Sequence, residues 1–130
     1  MKIKKLKTFS NKTGDLVPIS LKNNIPIKTK RIFIIHGKKK YFRADHAHYK
    51  CSQFLIPLCG TAIVYYENKK TKIKKKLSYK ENNGLLLKPL TWCKIKFNSN
   101  NSKLIVFCDM EYDPSDYIRN YTNFLNMIKR

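Results

Sequence analysis

The spacing of the apolar residues between positions 31 and 109 limits the possible folds more than any other feature. These residues come in bursts of four to seven, rich in Ile, Val, Phe and Tyr, which are interrupted by Gly, Asn, Ser and Lys. Short β-branched and aromatic segments separated by turn residues are typical of an antiparallel sandwich or barrel. The pattern predicts seven strands, at about 31–36, 53–58, 62–66, 71–79, 84–88, 93–97 and 104–108.

The chain after Asp109 follows a different period. Asp113 and Pro114 have the form of a helix N-cap with proline at the first helical position. The apolar residues beyond them form one helical stripe, namely Tyr117, Ile118, Tyr121, Phe124, Leu125 and Ile128. We therefore expect a single all-β domain over residues 1–130, with strands over about 31–109 and one C-terminal α-helix over about 114–129 packed on it.

The charge of the chain makes nucleic acid a partner to consider. Lys and Arg number 28 against 8 Asp and Glu, which gives a formal charge of +20. Nearly all of the basic residues are Lys, however, and Lys lacks the planar fork with which Arg reads guanine. The aromatic residues fall in apolar strand and helix patterns that predict burial. We expect no nucleic acid partner, and a non-catalytic basic β-barrel that binds nucleic acid stays the alternative.

The sequence also predicts a cytoplasmic protein without a membrane segment. Its longest apolar stretches, such as residues 54–58, fall far short of the roughly 20 residues that a membrane helix needs. The basic N-terminus is not followed by the apolar run of a secretory signal. The cysteines lack CxxC spacing and lie in apolar segments, as reduced core thiols do; they are Cys51, Cys59, Cys93 and Cys108.

Two of the three histidines stand together as His46-Ala-His48. In an extended segment residues i and i+2 point to the same side, so both imidazoles can face one cavity. Four residues further on comes Gln53, and after six more comes Gly60. This spacing matches the first motif of the cupin superfamily, HxH(x)4E(x)6G, with Gln53 where the glutamate usually stands. The fold we expect is therefore a cupin, a small jelly-roll barrel or sandwich.

Cupin enzymes that hold a metal ion resemble this motif but use a third histidine, and no histidine follows position 48. Two imidazoles and a neutral amide are a poor site for a divalent ion, so we predict no metal and no cofactor. A metal-dependent cupin completed by Cys51 or Cys93 stays an alternative. Without a metal, His46 and His48 become acid and base candidates, since imidazole titrates near pH 6.5. With Arg43 as an anion clamp, they suit proton abstraction next to a carbonyl, as in isomerases and epimerases.

A longer pattern identifies a family. The chain resembles the nucleotide-sugar 3,4-ketoisomerases, which are small cupins, from about Thr13 to Phe124. The resemblance is carried by Thr13-Gly-Asp-Leu-Val-Pro-Ile19, Lys30-Arg31-Ile-Phe-Ile, Arg43-x-x-His-Ala-His48, Gln53-Phe-Leu, Gly84-Leu-Leu-Leu-x-Pro89-x-x-Trp92 and Asp113-x-x-Asp116-Tyr117-Ile-Arg119-x-Tyr121-x-x-Phe124.

This resemblance implies a reaction on a dTDP-linked 4-keto-6-deoxy sugar, in 3-amino-sugar biosynthesis for a surface polysaccharide. The keto group would move from C4 to C3 through an enediol, with His48 as the base and His46 as its partner. The resemblance further implies substrate contacts from Arg43, Arg31, Gln53 and Trp92. It also implies a homodimer that exchanges N-terminal strands, for which the alternating residues 1–6 are suited.

The chain departs from the pattern of the family at three places. Relatives usually have a glycine soon after the arginine that corresponds to Arg43, whereas this chain has Ala44 and Asp45. The carboxylate of Asp45 could raise the pKa of an imidazole or cap a turn. Phe33 stands where relatives have tyrosine, and Cys93 follows the tryptophan where His or Arg is common. These positions leave the configuration at C4 of the product, gluco or galacto, open.

Overall fold

Two antiparallel five-stranded sheets face each other in the computed structural model, which describes residues Lys2 to Lys129. The first sheet has the order β1-β9-β6-β11-β4 and the second has the order β12-β5-β10-β7-β8, while β2 and β3 form a separate hairpin. The strands are β1 (Lys2–Lys5), β2 (Phe9–Asn11), β3 (Gly14–Leu16), β4 (Arg31–His36), β5 (Phe42–His48), β6 (Gln53–Cys59), β7 (Thr61–Glu67), β8 (Lys72–Ser78), β9 (Asn83–Leu87), β10 (Trp92–Phe97), β11 (Lys103–Cys108) and β12 (Tyr117–Ile118), and the helix is α1 (Tyr121–Ile128). The all-β prediction with one helix is confirmed, and its form is an open sandwich.

Side-chain alternation along the strands builds the core. Inward residues of both sheets, such as Leu55 on β6 and Val64 on β7, are buried against each other. Lys72, Lys74 and Lys76 of β8 are exposed at the edge of the second sheet, where charge discourages pairing with other chains. The outer faces are covered separately: residues 17–27 pack on the first sheet and α1 packs on the second.

The C-terminal helix is shorter than the sequence predicted. Asp113 does cap a turn, since its carboxylate accepts from Ser115 N at 3.0 Å, but that turn is a single 3₁₀ turn, Pro114–Asp116. The chain then becomes extended as β12 and pairs with β5. The helix begins at Tyr121, where Asn120 accepts from Asn123 N as a second N-cap. The predicted start at 114 is wrong because ladder hydrogen bonds to β5 satisfy this backbone instead of helical ones.

Strand β5 was not predicted, because its polar sequence lacks the apolar alternation of a strand. It carries a bulge opposite the step from Cys93 to Lys94, where the register with β10 shifts. Ala44 and Asp45 both have positive φ values there, 66° and 65°. Such a conformation costs a non-glycine residue about 1–2 kcal/mol, and bulges commonly re-aim side chains beside active sites.

The N-terminal residues form a strand in addition to the seven predicted ones. In the single chain, β1 pairs antiparallel with β9 of the same chain at the edge of the first sheet. No helix among residues 2–129 is long and apolar enough to cross a membrane.

Candidate active site

A cavity of about 200 Å³ lies between the two sheets. It is walled by side chains from β4 and β6 of the first sheet and from β5, β10 and β12 of the second. Four of the six residues predicted for the site line it, namely Arg31, Arg43, His46 and Gln53. Tyr117 and Cys93 complete its polar lining. The cavity therefore combines two cations, an imidazole and an amide within an otherwise apolar wall.

His48 lies deeper than His46, in a small neighbouring pocket that shares Arg31 and Tyr117 with the cavity. Its Nδ1 is 3.1 Å from Oδ2 of Asp116, and both side chains are buried. The Asp116 carboxylate also accepts from Lys50 N at 2.8 Å and from Cys51 N at 3.1 Å. A carboxylate held by two backbone donors is fixed in place, so it also fixes the ring of His48.

The electrostatics of the pair keep both imidazoles neutral at pH 7. Burial, with a smaller contribution from the neighbouring His48, lowers the pKa of His46 to about 4. Burial also lowers the pKa of His48, although the hydrogen bond to Asp116 opposes that shift. Because the ionised carboxylate can only accept, the neutral His48 carries its proton on Nδ1. Its Nε2 is then a free base.

Three polar atoms of the site are buried without a hydrogen-bond partner among the residues that the structure describes. They are Nε2 of His48, Nδ1 of His46 and Nε of Arg31. A buried polar group without a partner costs about 1–3 kcal/mol, and native proteins rarely leave such groups together. This cluster is consistent with a polar ligand that supplies the missing partners.

Tyr117 joins the two histidines. Its ring centroid lies 4.9 Å from that of His46 and 4.4 Å from that of His48. Burial acts to lower the pKa of Arg31, but Tyr117 and Cys108 together outweigh burial, so the pKa of Arg31 is raised. The guanidinium carbon of Arg119 lies 4.4 Å from the centroid of the tyrosine ring. Tyr117 thus interacts with both histidines and with two arginines.

Sequence reasoning missed the roles of Asp116 and Tyr117. Both belong to the family pattern, but the helical stripe assigned Tyr117 to a helix and gave Asp116 no partner. The pairing of β12 with β5 sets Tyr117 opposite His48. It also brings Asp116 to His48, although these two residues are 68 positions apart in the chain. The family signature was the only signal in the sequence that pointed to them.

The structure does not place Trp92 in this cavity, which corrects its predicted role as a wall. Alternation along β10 turns Cys93 inward and Trp92 outward. Trp92 packs under α1 against Phe124, with ring centroids 5.5 Å apart. Its Nε1 donates to Oδ1 of Asp45 at 3.2 Å. The charge of Asp45 still acts to raise the pKa of His46, against the larger effect of burial. Trp92 and Asp45 line a separate outer groove of about 630 Å³.

A metal ion fits the site poorly. His48, Cys51 and Asp116 offer ligand atoms within 4.8 Å of one another. The Asp116 oxygens, however, already accept three hydrogen bonds. Hydrogen bonding to Cys108 and burial raise the pKa of the Cys51 thiol, whereas a metal needs the thiolate. His46 lies outside this set, so no three-histidine site of the cupin metalloenzyme type is formed.

A cupin-like β sandwich with two arginines, a histidine and an amide at one cavity, and a second histidine in a pocket beside it, has the side chains of an enzyme site for a polar small molecule. Comparison with known proteins specifies the family. Residues 1–129 match the family model described as FdtA, WxcM-like, C-terminal. The chain belongs to this family of nucleotide-sugar 3,4-ketoisomerases, as the resemblance predicted, and it is an isomerase.

Individual relatives agree along the whole chain. The TDP-4-oxo-6-deoxy-α-D-glucose 3,4-oxoisomerase of Aneurinibacillus thermoaerophilus is 31% identical over 99% of this chain and 93% of its own. A variant of the 3,4-ketoisomerase QdtA from Thermoanaerobacterium thermosaccharolyticum, solved with TDP-4-keto-6-deoxyglucose, is 30% identical with a TM-score of 0.91. The match covers 98% of this chain and 93% of the QdtA chain. The TDP-quinovose 3,4-ketoisomerase WlaRB from Campylobacter jejuni is 29% identical with a TM-score of 0.87, covering 96% of each chain.

Proposed function

We propose that this protein converts dTDP-4-keto-6-deoxyglucose to a dTDP-3-keto-6-deoxyhexose, with His48 as the catalytic base. The observation that carries the proposal is the His48–Asp116 pair, with Nδ1 held at 3.1 Å and Nε2 free. The substrate is inferred from the relatives, one of which is named for the oxoisomerisation of this sugar nucleotide and another of which was solved with it.

The chemistry needs a base that is neutral at cellular pH. The C4 ketone acidifies the proton on C3, and Nε2 of His48 takes that proton. The C4 oxygen gains a proton as the 3,4-enediol forms. The C3 hydroxyl then gives up its proton while C4 receives one, which leaves the ketone at C3 and a hydroxyl at C4. No redox partner is consumed, since the two carbons exchange oxidation states.

The remaining residues bind and orient the substrate. His46, neutral because of its pKa of about 4, hydrogen-bonds the enediol oxygens. Arg31 and Arg43 contact sugar or diphosphate oxygens, for which a permanent cation is suited. Gln53 holds a sugar hydroxyl. The negative charge of Asp116 stabilises the imidazolium that His48 becomes after it takes the proton.

Incubation with dTDP-4-keto-6-deoxyglucose in deuterated water, followed by NMR, tests the reaction. We expect the keto group at C3 and deuterium at C4, and an unchanged turnover rate when a chelator is added. His48→Asn should abolish turnover while the protein stays folded. His36→Asn is the matched control, because His36 is exposed at the far end of β4. Turnover that survives His48→Asn would remove His48 from the role of base, and inhibition by a chelator would favour a metal-dependent enzyme.

We further propose a cytoplasmic homodimer that exchanges its N-terminal strands. The β2–β3 hairpin is exposed along its whole length, and Phe9 and Leu16 are 51% and 63% exposed. Apolar side chains on a projecting hairpin suit contact with a second copy. Light scattering should give the mass of two chains, and a mass of one chain would contradict the dimer.

A 3-keto product would suit an aminotransferase in the synthesis of an amino sugar for a surface polysaccharide.

A further inference from the structure

A buried sulfur lies between two of the residues that line the cavity. Cys108, at the end of β11, is the register partner of Arg31 on β4 and of Gln53 on β6. Nη2 of Arg31 and Nε2 of Gln53 each lie 3.6 Å from Cys108 Sγ. Cys108 is completely buried and does not itself line the cavity. Two donors from neighbouring strands therefore converge on one acceptor behind the cavity wall.

We propose that Cys108 is a positioning residue that holds Arg31 and Gln53 in the orientation in which they meet the substrate. The identity of that substrate rests on the proposed function, whereas the anchoring contact does not. The guanidinium carbon of Arg31 also lies over the rings of Phe33 and Tyr112, 5.1 and 5.4 Å from their centroids. Ring contacts do not fix the direction of the N–H groups, whereas the hydrogen bond from Nη2 to Cys108 Sγ is directional.

The charge on the sulfur strengthens the anchor. A hydrogen bond from Cys51 lowers the pKa of Cys108 to about 7 against opposing burial, with Gln53 and Arg31 acting in the same direction. The pKa of Cys51 is raised, with Asp109 among the causes, so Cys108 is the thiol of this pair that ionises first. Hydrogen bonds to ionised acceptors are about twice as strong as neutral ones. A thiolate paired with Arg31 is thus a counter-ion as well as an acceptor.

The same contact gives a reason for the departure of this chain from the cupin motif. Gln53 stands where the motif usually has glutamate. Its amide donates to the sulfur, whereas a carboxylate could only accept and would face a second negative charge. Gln53 and Cys108 therefore form a matched pair across β6 and β11.

The test compares Cys108→Ala, which removes the acceptor, with Cys108→Ser, which keeps one. Cys59→Ala is the matched control, because Cys59 lies at the opposite end of β6, about 20 Å along the strand. For Cys108→Ala we expect the KM for the sugar nucleotide to rise about tenfold, the size of a lost charge-assisted hydrogen bond, with a smaller change in kcat. Cys108→Ser should recover part of the loss. A KM for Cys108→Ala within twofold of that for Cys59→Ala would overturn the proposal.

A second measurement does not depend on turnover. The chain has four arginines, so their side-chain Nε–Hε signals can be resolved by NMR. In the wild-type protein the Arg31 signal should shift with pH about a midpoint near 7, and this shift should vanish in Cys108→Ser. An identical titration in both proteins would refute the charged form of the anchor, whether or not the sugar nucleotide is the substrate. If Cys108→Ala fails to fold, the serine variant and this titration still decide the question.

Discussion

Replacement of Asp116 by asparagine tests the reasoning about the base most directly. Three donors converge on this carboxylate: Nδ1 of His48 at 3.1 Å, Lys50 N at 2.8 Å and Cys51 N at 3.1 Å. Oδ2 accepts two of them and Oδ1 accepts one. The amide of an asparagine therefore fits best with its oxygen in the place of Oδ2 and its NH₂ facing Lys50 N–H. His48 keeps an acceptor, but the negative charge beside it is lost.

The size of the effect follows from that lost charge. A hydrogen bond to a charged group contributes about 1.5–3 kcal/mol, which in a transition state that forms an imidazolium corresponds to a roughly 10- to 150-fold lower kcat. The clash with Lys50 N–H leaves a donor unsatisfied, which lowers the free energy of unfolding by about 1–3 kcal/mol. Because Asp116 raises the pKa of His48 against burial, its loss also moves the acid limb of the pH profile of kcat to lower pH.

The assay follows conversion of the sugar nucleotide by NMR between pH 5 and pH 8, and urea denaturation checks the fold. Asp113→Asn is the control, since Asp113 belongs to the same turn and its side chain accepts from the backbone N and the hydroxyl of Ser115. A kcat for Asp116→Asn within threefold of this control, together with an unmoved acid limb, would refute the role of Asp116 in supporting the base.

Two further predictions concern residues that the structure reassigns or perturbs. Trp92→Phe should lower the free energy of unfolding by about 1–2 kcal/mol, because it loses packing against Phe124 and the hydrogen bond to Asp45. The KM for the sugar nucleotide should stay unchanged. A raised KM with normal stability would return Trp92 to the substrate site. The pKa of His46 falls from 6.5 to about 4 on folding, so the unfolded chain binds more protons between these values and stability declines as pH falls through this range. His46→Gln should make the melting temperature fall less steeply from pH 6.5 to pH 4, as followed by circular dichroism, and an unchanged slope would contradict the buried, neutral state of His46.

Most of the fold was predictable because strand formation here is a local property of the sequence. Seven of the twelve strands were predicted close to their bounds from short apolar segments between turn residues. Gly60 of the cupin motif also has a local reason, since it adopts a φ of 71° between β6 and β7 and a Cβ there would lie 2.7 Å from Ser102 Oγ. Strand β5 and the true start of α1 were not predictable, because pairing with distant strands outweighed the local pattern.

The candidate site, like the fold, was predictable from the sequence only in part. The spacing of His46 and His48 on one strand puts them on the same side, with ring centroids 5.0 Å apart. Trp92 was assigned to the site through the family resemblance, yet its position in the alternation of β10 turns it outward. The support for His48 comes from Asp116, which no local pattern connects to it.

The sequence by itself determined an all-β cupin, the histidine pair, the lack of a third histidine and the ketoisomerase family, because these depend on residue order and on the two-residue period of a strand. Only the tertiary structure decided which groups surround those histidines. Two-residue β12 brings Asp116 and Tyr117 to β5, and the register of β4, β11 and β6 sets Arg31, Cys108 and Gln53 in one row. The physical reason is that burial and hydrogen bonding between distant strands set the protonation state and orientation of these side chains.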